Sequence, residues 1–266
     1  MTETPTDTVA YEVHAGVATI TLDRPAAANA LNRPMKIQLL RALSAARNDP
    51  SVRTVAIVAT GKNFCVGQDL EEHVAALRAN PAQAMGTVRE HYNPIMLALN
   101  AIKVPVVAAI NGACVGAGLG LVLAADIRIA GSRAKFGAAF AGIGLASDSA
   151  LSASLPRLIG AGRATALFLL GGNIDAATAH NWGMVHQVVD DEILRDVAIE
   201  MAGRLAAGPT QAFVSIKELM AANAITSLAE VLEREAAAQQ RLGASIDHGV
   251  AVEAFLAKKK PAFSGR

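Results

Sequence analysis

Residues 105–126 read PVVAAINGACVGAGLGLVLAAD, and this stretch decides the fold of the chain. Its first 21 residues carry no charge, which is long enough for a helix to cross a bilayer. The stretch begins with valine, alanine and isoleucine, whereas four glycines follow the polar Asn111. A single membrane helix explains neither part, because glycine and a polar amide weaken its middle. The pattern instead predicts a buried strand, a glycine turn and a helix.

The glycine turn fits three kinds of site: a nucleotide loop, a tightly packed core or an anion site. The dinucleotide pattern G-x-G-x-x-G is incomplete, since Leu121 stands where the last glycine belongs. Glycines that let a strand and a helix pack closely are the simplest explanation. A helix that begins near Ala117 would also direct free N–H groups at an anion, such as a developing oxyanion. The loop CVGQD offers a second donor at Gln68, which follows a glycine as Ala117 does.

The segments before this stretch predict strands and a helix. The segment YEVHAGVATITLDRP alternates between apolar and polar residues on either side of Ala15-Gly16, which is typical of a hairpin. Asn32 is placed to cap a helix over residues 33–47. Further buried strands are expected in VRTVAIVAT, VPVVAAI and DIRIAG. Strands, turns and helices therefore alternate, which favours an α/β core.

The later part of the sequence is mostly helical. Residues 83–101 are predicted to form a helix with a break at Pro94, and the pattern is almost wholly helical from residue 152 onward. We therefore expect an α/β core over residues 1–195 and a helical region over residues 196–266.

Composition and charge argue against several classes of protein. The 266 residues have a net charge of +1, so no general attraction to nucleic acid or to an anionic membrane is expected. Cys65 and Cys114 make no disulfide framework, and the first residues contain neither a basic nor an apolar signal region. The histidines have no metal-ligand spacing. We expect a cytoplasmic protein without a metal, a membrane span or a nucleic-acid partner.

Seven segments carry a resemblance that none of them would support alone. They are, in chain order, LDRPAAANALN, GKNFCVGQDL, PVVAAINGACVGAGLGLVLAAD, AKFGAAFAGIGLASD, SLPRLIG, DAATAHNWGMVHQVV and FLAKKKPAF. Over residues 10–263 the chain resembles the crotonase, or enoyl-CoA hydratase/isomerase, family. The resemblance implies an α/β spiral of ββα turns, a helical C-terminal region that forms homotrimers or hexamers, and acyl-CoA thioester substrates. It implies no cofactor, because coenzyme A is part of the substrate.

The resemblance also implies which residues form the site. The backbone N–H groups of Gln68 and Ala117 align with two oxyanion-hole donors for the thioester oxygen. The positions implied to bind the coenzyme A or acyl part are Arg24, Ala26, Ala28, Asp69, Leu70, Gly116, Phe140, Phe255 and Lys258. The last two reach coenzyme A from a neighbouring subunit in many family members. Without the resemblance, the loop after Arg24 reads as a plain turn, Asp69 as a helix cap and the lysine run at 258 as a solvated tail.

Carboxylates distinguish the branches of this family. Hydratases hold water with two glutamates, and the corresponding positions here are Gly120 and Phe140, so neither glutamate is present. Asp148, in the same loop as Phe140, aligns with the catalytic aspartate of the branches that resemble ring-epoxide phenylacetyl-CoA isomerases and 4-chlorobenzoyl-CoA dehalogenases. The histidine base of the dehalogenases aligns with Asn93, and His91 lies two residues away on another helix face.

Asp148 lies in the almost uncharged segment FAGIGLASDSALSASL. A carboxyl group in such surroundings is expected to have a raised pKa and to transfer protons near neutral pH. Asp148 is also a good N-cap for the helix that follows, and both roles can hold together. We expect it to shuttle a proton that moves a double bond or opens a strained ring. Hydratase or other lyase or hydrolase chemistry is the alternative, and a non-catalytic crotonase-like binder is the second.

Overall fold

The computed structural model describes residues 7–222 and 226–265. Its strands are β1 (Val9–His14), β2 (Val17–Leu22), β3 (Thr54–Ala59), β4 (Val106–Ile110), β5 (Ala113–Val115), β6 (Ile127–Gly131), β7 (Lys135–Gly137), β8 (Asn173–Asp175) and β9 (Gln187–Val189). Six of them form one sheet in the order β1-β2-β3-β4-β6-β9, and three form a smaller sheet in the order β5-β7-β8. In the larger sheet β1 and β2 are antiparallel and the other pairs are parallel.

Helices cover the sheets and make up most of the chain after residue 150. They are α1 (Arg33–Asn48), α2 (Leu70–Ala79), α3 (Asn93–Asn100), α4 (Ala117–Leu123), α5 (Leu151–Ile159), α6 (Ala161–Leu170), α7 (Ala176–Asn181), α8 (Leu194–Ala206), α9 (Thr210–Ala222), α10 (Leu228–Gly243) and α11 (Ile246–Leu256). Parallel strands need such crossovers, because the chain must return from the end of one strand to the opposite end of the sheet, where the next strand begins. The predicted α/β core and helical C-terminal region are confirmed.

The larger sheet is covered by helices on both faces, which explains why its central strands β3 and β4 are almost continuously apolar. Helices α1, α3 and α4 contribute to the main core on one face. On the other face α8 packs through Leu194 and alanines at every fourth position. The boundary expected at residue 195 falls inside α8, so the packed core continues to Ala206. The division of the chain into two functional parts stays a prediction.

Two local predictions are confirmed by backbone geometry. The hairpin turns at Ala15 and Gly16, whose φ values of +48° and +79° suit a two-residue hairpin loop. Helix α1 begins directly after Asn32, whose side-chain oxygen accepts the Met35 N–H at 3.1 Å. Both signals are local in sequence, so no tertiary contact is needed to interpret them.

One helix prediction needed correction, and one sheet was not predicted at all. The helix expected over residues 83–101 is a π-helical turn over Val88–Tyr92 followed by α3, with Pro94 in the first turn of α3. The π-helical turn runs directly into α3, so Pro94 lies within a continuous helical segment and not at a break between two helices. The smaller sheet was not expected, since its strands are only three residues long and show no period.

The uncharged stretch 105–125 forms β4, β5 and α4, in agreement with a strand, a turn and a helix. Within residues 7–222 and 226–265, none of the helices has the length and apolar character needed to cross a bilayer.

Candidate active site

The CVGQD loop and the glycine turn lie side by side through backbone pairing. The Cys65 N–H donates to the Ala113 carbonyl at 3.1 Å, and the Val115 N–H donates to the Cys65 carbonyl at 2.9 Å. Gly67 then turns with a φ of +87°, and a β-carbon on it would lie 3.5 Å from the Ala117 nitrogen. Two segments about 50 residues apart in sequence are thus held in contact, and the two predicted donors lie close together.

The two donor N–H groups are unpaired. Ala117 is the first residue of α4, so its N–H has no acceptor within the helix. Among the hydrogen bonds of the described residues, neither this group nor the Gln68 N–H has an acceptor. Gly116, which precedes Ala117, has φ +56° and ψ −126°, a conformation that suits glycine. Two free N–H groups beside one cavity can hold an anionic oxygen.

The cavity beside these donors has a volume of about 500 Å³, within the range of small-molecule sites. Most of the predicted site residues line it: Arg24, Gln68, Asp69, Leu70, Gly116, Ala117, Phe140 and Asp148. Apolar neighbours complete the wall, among them Val66, Met85, Ile143 and Leu145. Most of the predicted residues therefore lie along one cavity, and their roles stay a prediction.

Four predicted residues lie outside the cavity wall of the described chain. Ala26 and Ala28 belong to the turn that also contains the lining residues Ala27 and Ala30. Phe255, 82% exposed near the end of α11, and Lys258, just beyond it, do not line the cavity. A single chain therefore leaves these two positions apart from the site, and their contact with coenzyme A stays a prediction.

Asp148 has the environment expected of a proton-transfer group. Burial raises the pKa of its carboxyl group, and a hydrogen bond from the Ser149 hydroxyl at 2.8 Å partly opposes this rise. Its expected second role as N-cap of α5 is wrong. Ala150 occupies the cap position, and no side chain accepts a hydrogen bond from the first turn of α5. The Asp148 side chain is therefore not engaged with the helix.

Gly120 makes room for the loop that carries Asp148. A β-carbon on Gly120 would lie 2.5 Å from the Ser149 β-carbon and 2.7 Å from the Ser149 carbonyl oxygen. Both distances are far below normal contact, so no larger residue fits unless the loop moves. Ser149 and Ala150 have φ values of +50° and +61°, which shows how tightly the chain turns here. A glutamate at position 120, as in the hydratases, would therefore displace the loop that carries Asp148.

Arg24 and Asp69 form an ion pair at the rim of the cavity, 2.5 Å between Nη1 and Oδ2. Asp69 also caps α2 by accepting the Glu72 N–H at 3.0 Å, as expected. Burial alone would raise the pKa of Asp69, but the hydrogen bonds from Glu72 and Arg24 hold it below its ordinary value. Arg24 donates to the Ala30 carbonyl as well, so its guanidinium is fixed in place.

The dehalogenase arrangement is not seen in the cavity. Asn93, the position of that branch's histidine base, is exposed and does not line the cavity. His91 lies next to Thr87, with 3.2 Å between Nδ1 and Oγ1, and is not a lining residue either.

Sequence reasoning missed a polar cluster around the buried Lys36, at the cavity wall. It comprises Lys36, Glu72, Thr87 and Tyr92 around the Gln68 side chain. A signal was available, because position 36 lies on the same helical face as Leu39 and Leu43, both of which are buried. A lysine within an apolar stripe indicates a buried charge that needs partners.

Comparison with known proteins covers nearly the whole chain. The sequence profile of the enoyl-CoA hydratase/isomerase family matches residues 12–266. The 1,2-epoxyphenylacetyl-CoA isomerase of Escherichia coli is 40% identical over 255 residues, which cover 96% of this chain and 97% of that protein. A probable enoyl-CoA hydratase of Rhodobacter capsulatus is 39% identical over 259 residues, which cover 97% of this chain and 98% of that protein.

The similarity extends to three-dimensional structure. The crystal structure of a Mycobacterium abscessus protein assigned to the enoyl-CoA hydratase/isomerases is 72% identical and superimposes with a TM-score of 0.96. The match covers 97% of this chain and 100% of that one. The predicted resemblance and crotonase-type fold are thereby confirmed, and relatives with isomerase names and with hydratase names both occur. The chain belongs to the enoyl-CoA hydratase/isomerase, or crotonase, family.

Proposed function

We propose that this protein is an enoyl-CoA isomerase that uses Asp148 as its only proton shuttle. The observation that carries the proposal is the position of Asp148 in the same cavity as the free N–H groups of Gln68 and Ala117. The packing of Gly120 against Ser149 adds to it, because it leaves no place for the first glutamate of a hydratase.

The mechanism needs one carboxyl group and two fixed donors. The thioester oxygen of a 3-enoyl-CoA accepts hydrogen bonds from the N–H groups of Gln68 and Ala117, so the C2 proton becomes more acidic. The Asp148 carboxylate removes that proton, and the negative charge moves onto the thioester oxygen. The same carboxyl group returns the proton to C4, and the double bond then lies between C2 and C3. One group handles both transfers, so no second acid is required.

The other carboxylates of the cavity are poorly placed for hydration chemistry. Asp69 is held by Arg24 and caps α2, and Glu71 belongs to the first turn of α2 and is exposed. Phe140 stands where a hydratase has its second glutamate and lines the cavity with an apolar ring. These three features favour movement of a double bond over addition of water.

The test compares isomerisation with hydration on a panel of enoyl-CoA thioesters. Isomerisation of a 3-enoyl-CoA raises the ultraviolet absorbance of the conjugated thioester, whereas hydration of a 2-enoyl-CoA lowers it. Asp148→Asn is expected to lower kcat by about 10³-fold while calorimetry still detects acyl-CoA binding. Asp175→Asn is the matched control, because Asp175 is an exposed helix cap outside the cavity. An unimpaired Asp148→Asn variant would contradict the role of Asp148 as proton shuttle. Faster hydration than isomerisation by the wild type would contradict the proposal that the protein is an isomerase.

A ring-epoxide acyl-CoA is the second candidate substrate. The observation that favours it is the 40% identity to a protein named 1,2-epoxyphenylacetyl-CoA isomerase. The largely apolar wall around Phe140 suits a compact ring as well as an acyl chain. Because an isomerisation leaves the mass unchanged, the product of 1,2-epoxyphenylacetyl-CoA is best identified by NMR.

Assembly, location and cofactor use are further parts of the proposal. Large apolar side chains of the helical C-terminal region are exposed in the single chain, including Met220, Leu228, Phe255 and Leu256. Such exposure favours the expected homotrimer or hexamer, which light scattering can test. We also expect a cytoplasmic enzyme that needs no metal or other cofactor. If calorimetry detected no acyl-CoA binding at all, the alternative of a non-catalytic binder would replace these proposals.

A further inference from the structure

Lys36 is buried behind the cavity wall with only 1% of its surface exposed. Its ammonium group donates to Glu72 Oε1 at 2.6 Å, to Thr87 Oγ1 at 2.8 Å and to Gln68 Oε1 at 3.2 Å. These three hydrogen bonds use all the donors of an ammonium group. The ring of Tyr92 lies beside it, with 5.4 Å from Nζ to the ring centre. The charge is therefore fully satisfied without water.

The Gln68 side chain is held completely by the same cluster. Its Oε1 accepts a second hydrogen bond from the Tyr92 hydroxyl at 2.5 Å. Its Nε2 donates to Glu72 Oε1 at 3.0 Å and to the Asp69 carbonyl at 3.3 Å. Together with the bond from Lys36, these contacts use both acceptor sites and both N–H groups of the amide. A side chain fixed at its far end in this way also fixes the backbone to which it is attached.

The oxyanion hole itself does not explain a glutamine at position 68. Only the backbone N–H of this residue is needed to bind a thioester oxygen, and any residue supplies one. A buried ion pair is also a weak source of stability, since apolar residues of the same size often serve as well. Gln68, Thr87 and Tyr92 line the cavity, whereas Lys36 and Glu72 do not. Lys36 thus contacts three residues of the wall from behind.

We infer that Lys36 is a positioning residue that fixes the Gln68 N–H of the oxyanion hole by holding the Gln68 side chain. The inference rests on the proposed function, because it requires this N–H to bind the thioester oxygen. Lys36 does not line the cavity, so its loss changes the stabilisation of the enolate much more than the binding of the substrate. The signature is a lower kcat at nearly constant KM.

The first test replaces the ammonium group by an apolar chain of similar length. Lys36→Met is expected to lower kcat by about 10- to 100-fold, because a small displacement of a donor has effects of this size. KM is expected to change by less than about 3-fold. Lys217→Met is the matched control, since Lys217 also donates three hydrogen bonds, but its partners Ile102, Val104 and Asp126 do not line the cavity. The control should keep the wild-type kcat.

A second pair of variants separates positioning from stability. Lys36→Met alone leaves Glu72 without its cation and can fail to fold, whereas Lys36→Met/Glu72→Gln removes both charges together. The double variant is expected to regain thermal stability and to keep the low kcat. Gln68→Leu retains the backbone N–H and should show a similar loss, with no further loss when it is combined with Lys36→Met. Recovery of kcat together with stability in the charge-neutral double variant would overturn the inference.

A spectroscopic reading makes the result independent of turnover. The absorption band of bound 4-(dimethylamino)cinnamoyl-CoA shifts to longer wavelength when an oxyanion hole polarises its thioester carbonyl. We expect a smaller shift in Lys36→Met than in the wild type and in Lys217→Met. Equal shifts, or no shift in the wild type, would overturn the inference. A wild type that shifts the band but converts no acyl-CoA would leave the inference standing and refute the proposed function.

Discussion

Gly120 is predicted to be the residue on which the position of Asp148 depends. An alanine at 120 adds one β-carbon, which would lie 2.5 Å from the Ser149 β-carbon and 2.7 Å from the Ser149 carbonyl oxygen. Ordinary carbon contacts are about 3.5–4.0 Å, so Ser149 must move by roughly 1 Å. Its neighbour Asp148 must move with it, because the two residues are adjacent and joined by a hydrogen bond.

The expected cost follows from this displacement. Misplacement of a catalytic group by 1 Å lowers a rate by about 100-fold, so Gly120→Ala should retain about 1% of the wild-type kcat. Overpacking of this kind also lowers the free energy of unfolding by about 1–3 kcal/mol. A partial rescue is available in Ser149→Gly, because this change removes the 2.5 Å contact but leaves the 2.7 Å contact with the carbonyl.

The assay is steady-state isomerisation of a 3-enoyl-CoA, with urea unfolding measured on the same samples. Gly203→Ala serves as control, since Gly203 also lies inside a helix but has open space where a β-carbon would be. The control should keep its kcat and gain about 0.5–1 kcal/mol of stability. If Gly120→Ala were as active as Gly203→Ala, the link between Gly120 and the Asp148 loop would be refuted.

Three further predictions concern Asp148 and the first helix. The value of kcat/KM should fall as the pH drops through the raised pKa of Asp148. In the wild type the hydrogen bond from Ser149 lowers that pKa, so Ser149→Ala should raise it and move the fall to higher pH. A fall at the same pH in both proteins would contradict this prediction. Asp148→Asn should raise the Tm at pH 7, since burial penalises the carboxylate only in the folded state. The gain should vanish below the ordinary pKa of aspartate, where the group is protonated in both states, and an equal gain at both pH values would refute the assignment. Asn32→Ala should lower the free energy of unfolding in urea by about 1 kcal/mol, and no loss would show that the cap is dispensable.

The features that were predictable from the sequence are those set by neighbouring residues. The hairpin at Ala15-Gly16 and the cap at Asn32 follow from the conformations that these residue types favour within a few positions. The strand, turn and helix within residues 105–126 follow from a local change from β-branched residues to glycine. Both donor positions of the site lie at such local features, directly after a glycine.

The sequence by itself determined the family, the α/β core and a set of residues most of which line one cavity, because these depend on motif order and on local pattern. Only the tertiary structure showed the contacts of Lys36 with Gln68 and of Gly120 with the residue that follows Asp148. Lys36 meets Gln68 across 32 positions, and Gly120 meets Ser149 across two strands that belong to different sheets. The conformational preferences of neighbouring residues do not predict such distant contacts, because these contacts depend on how separate helices, strands and loops pack against one another.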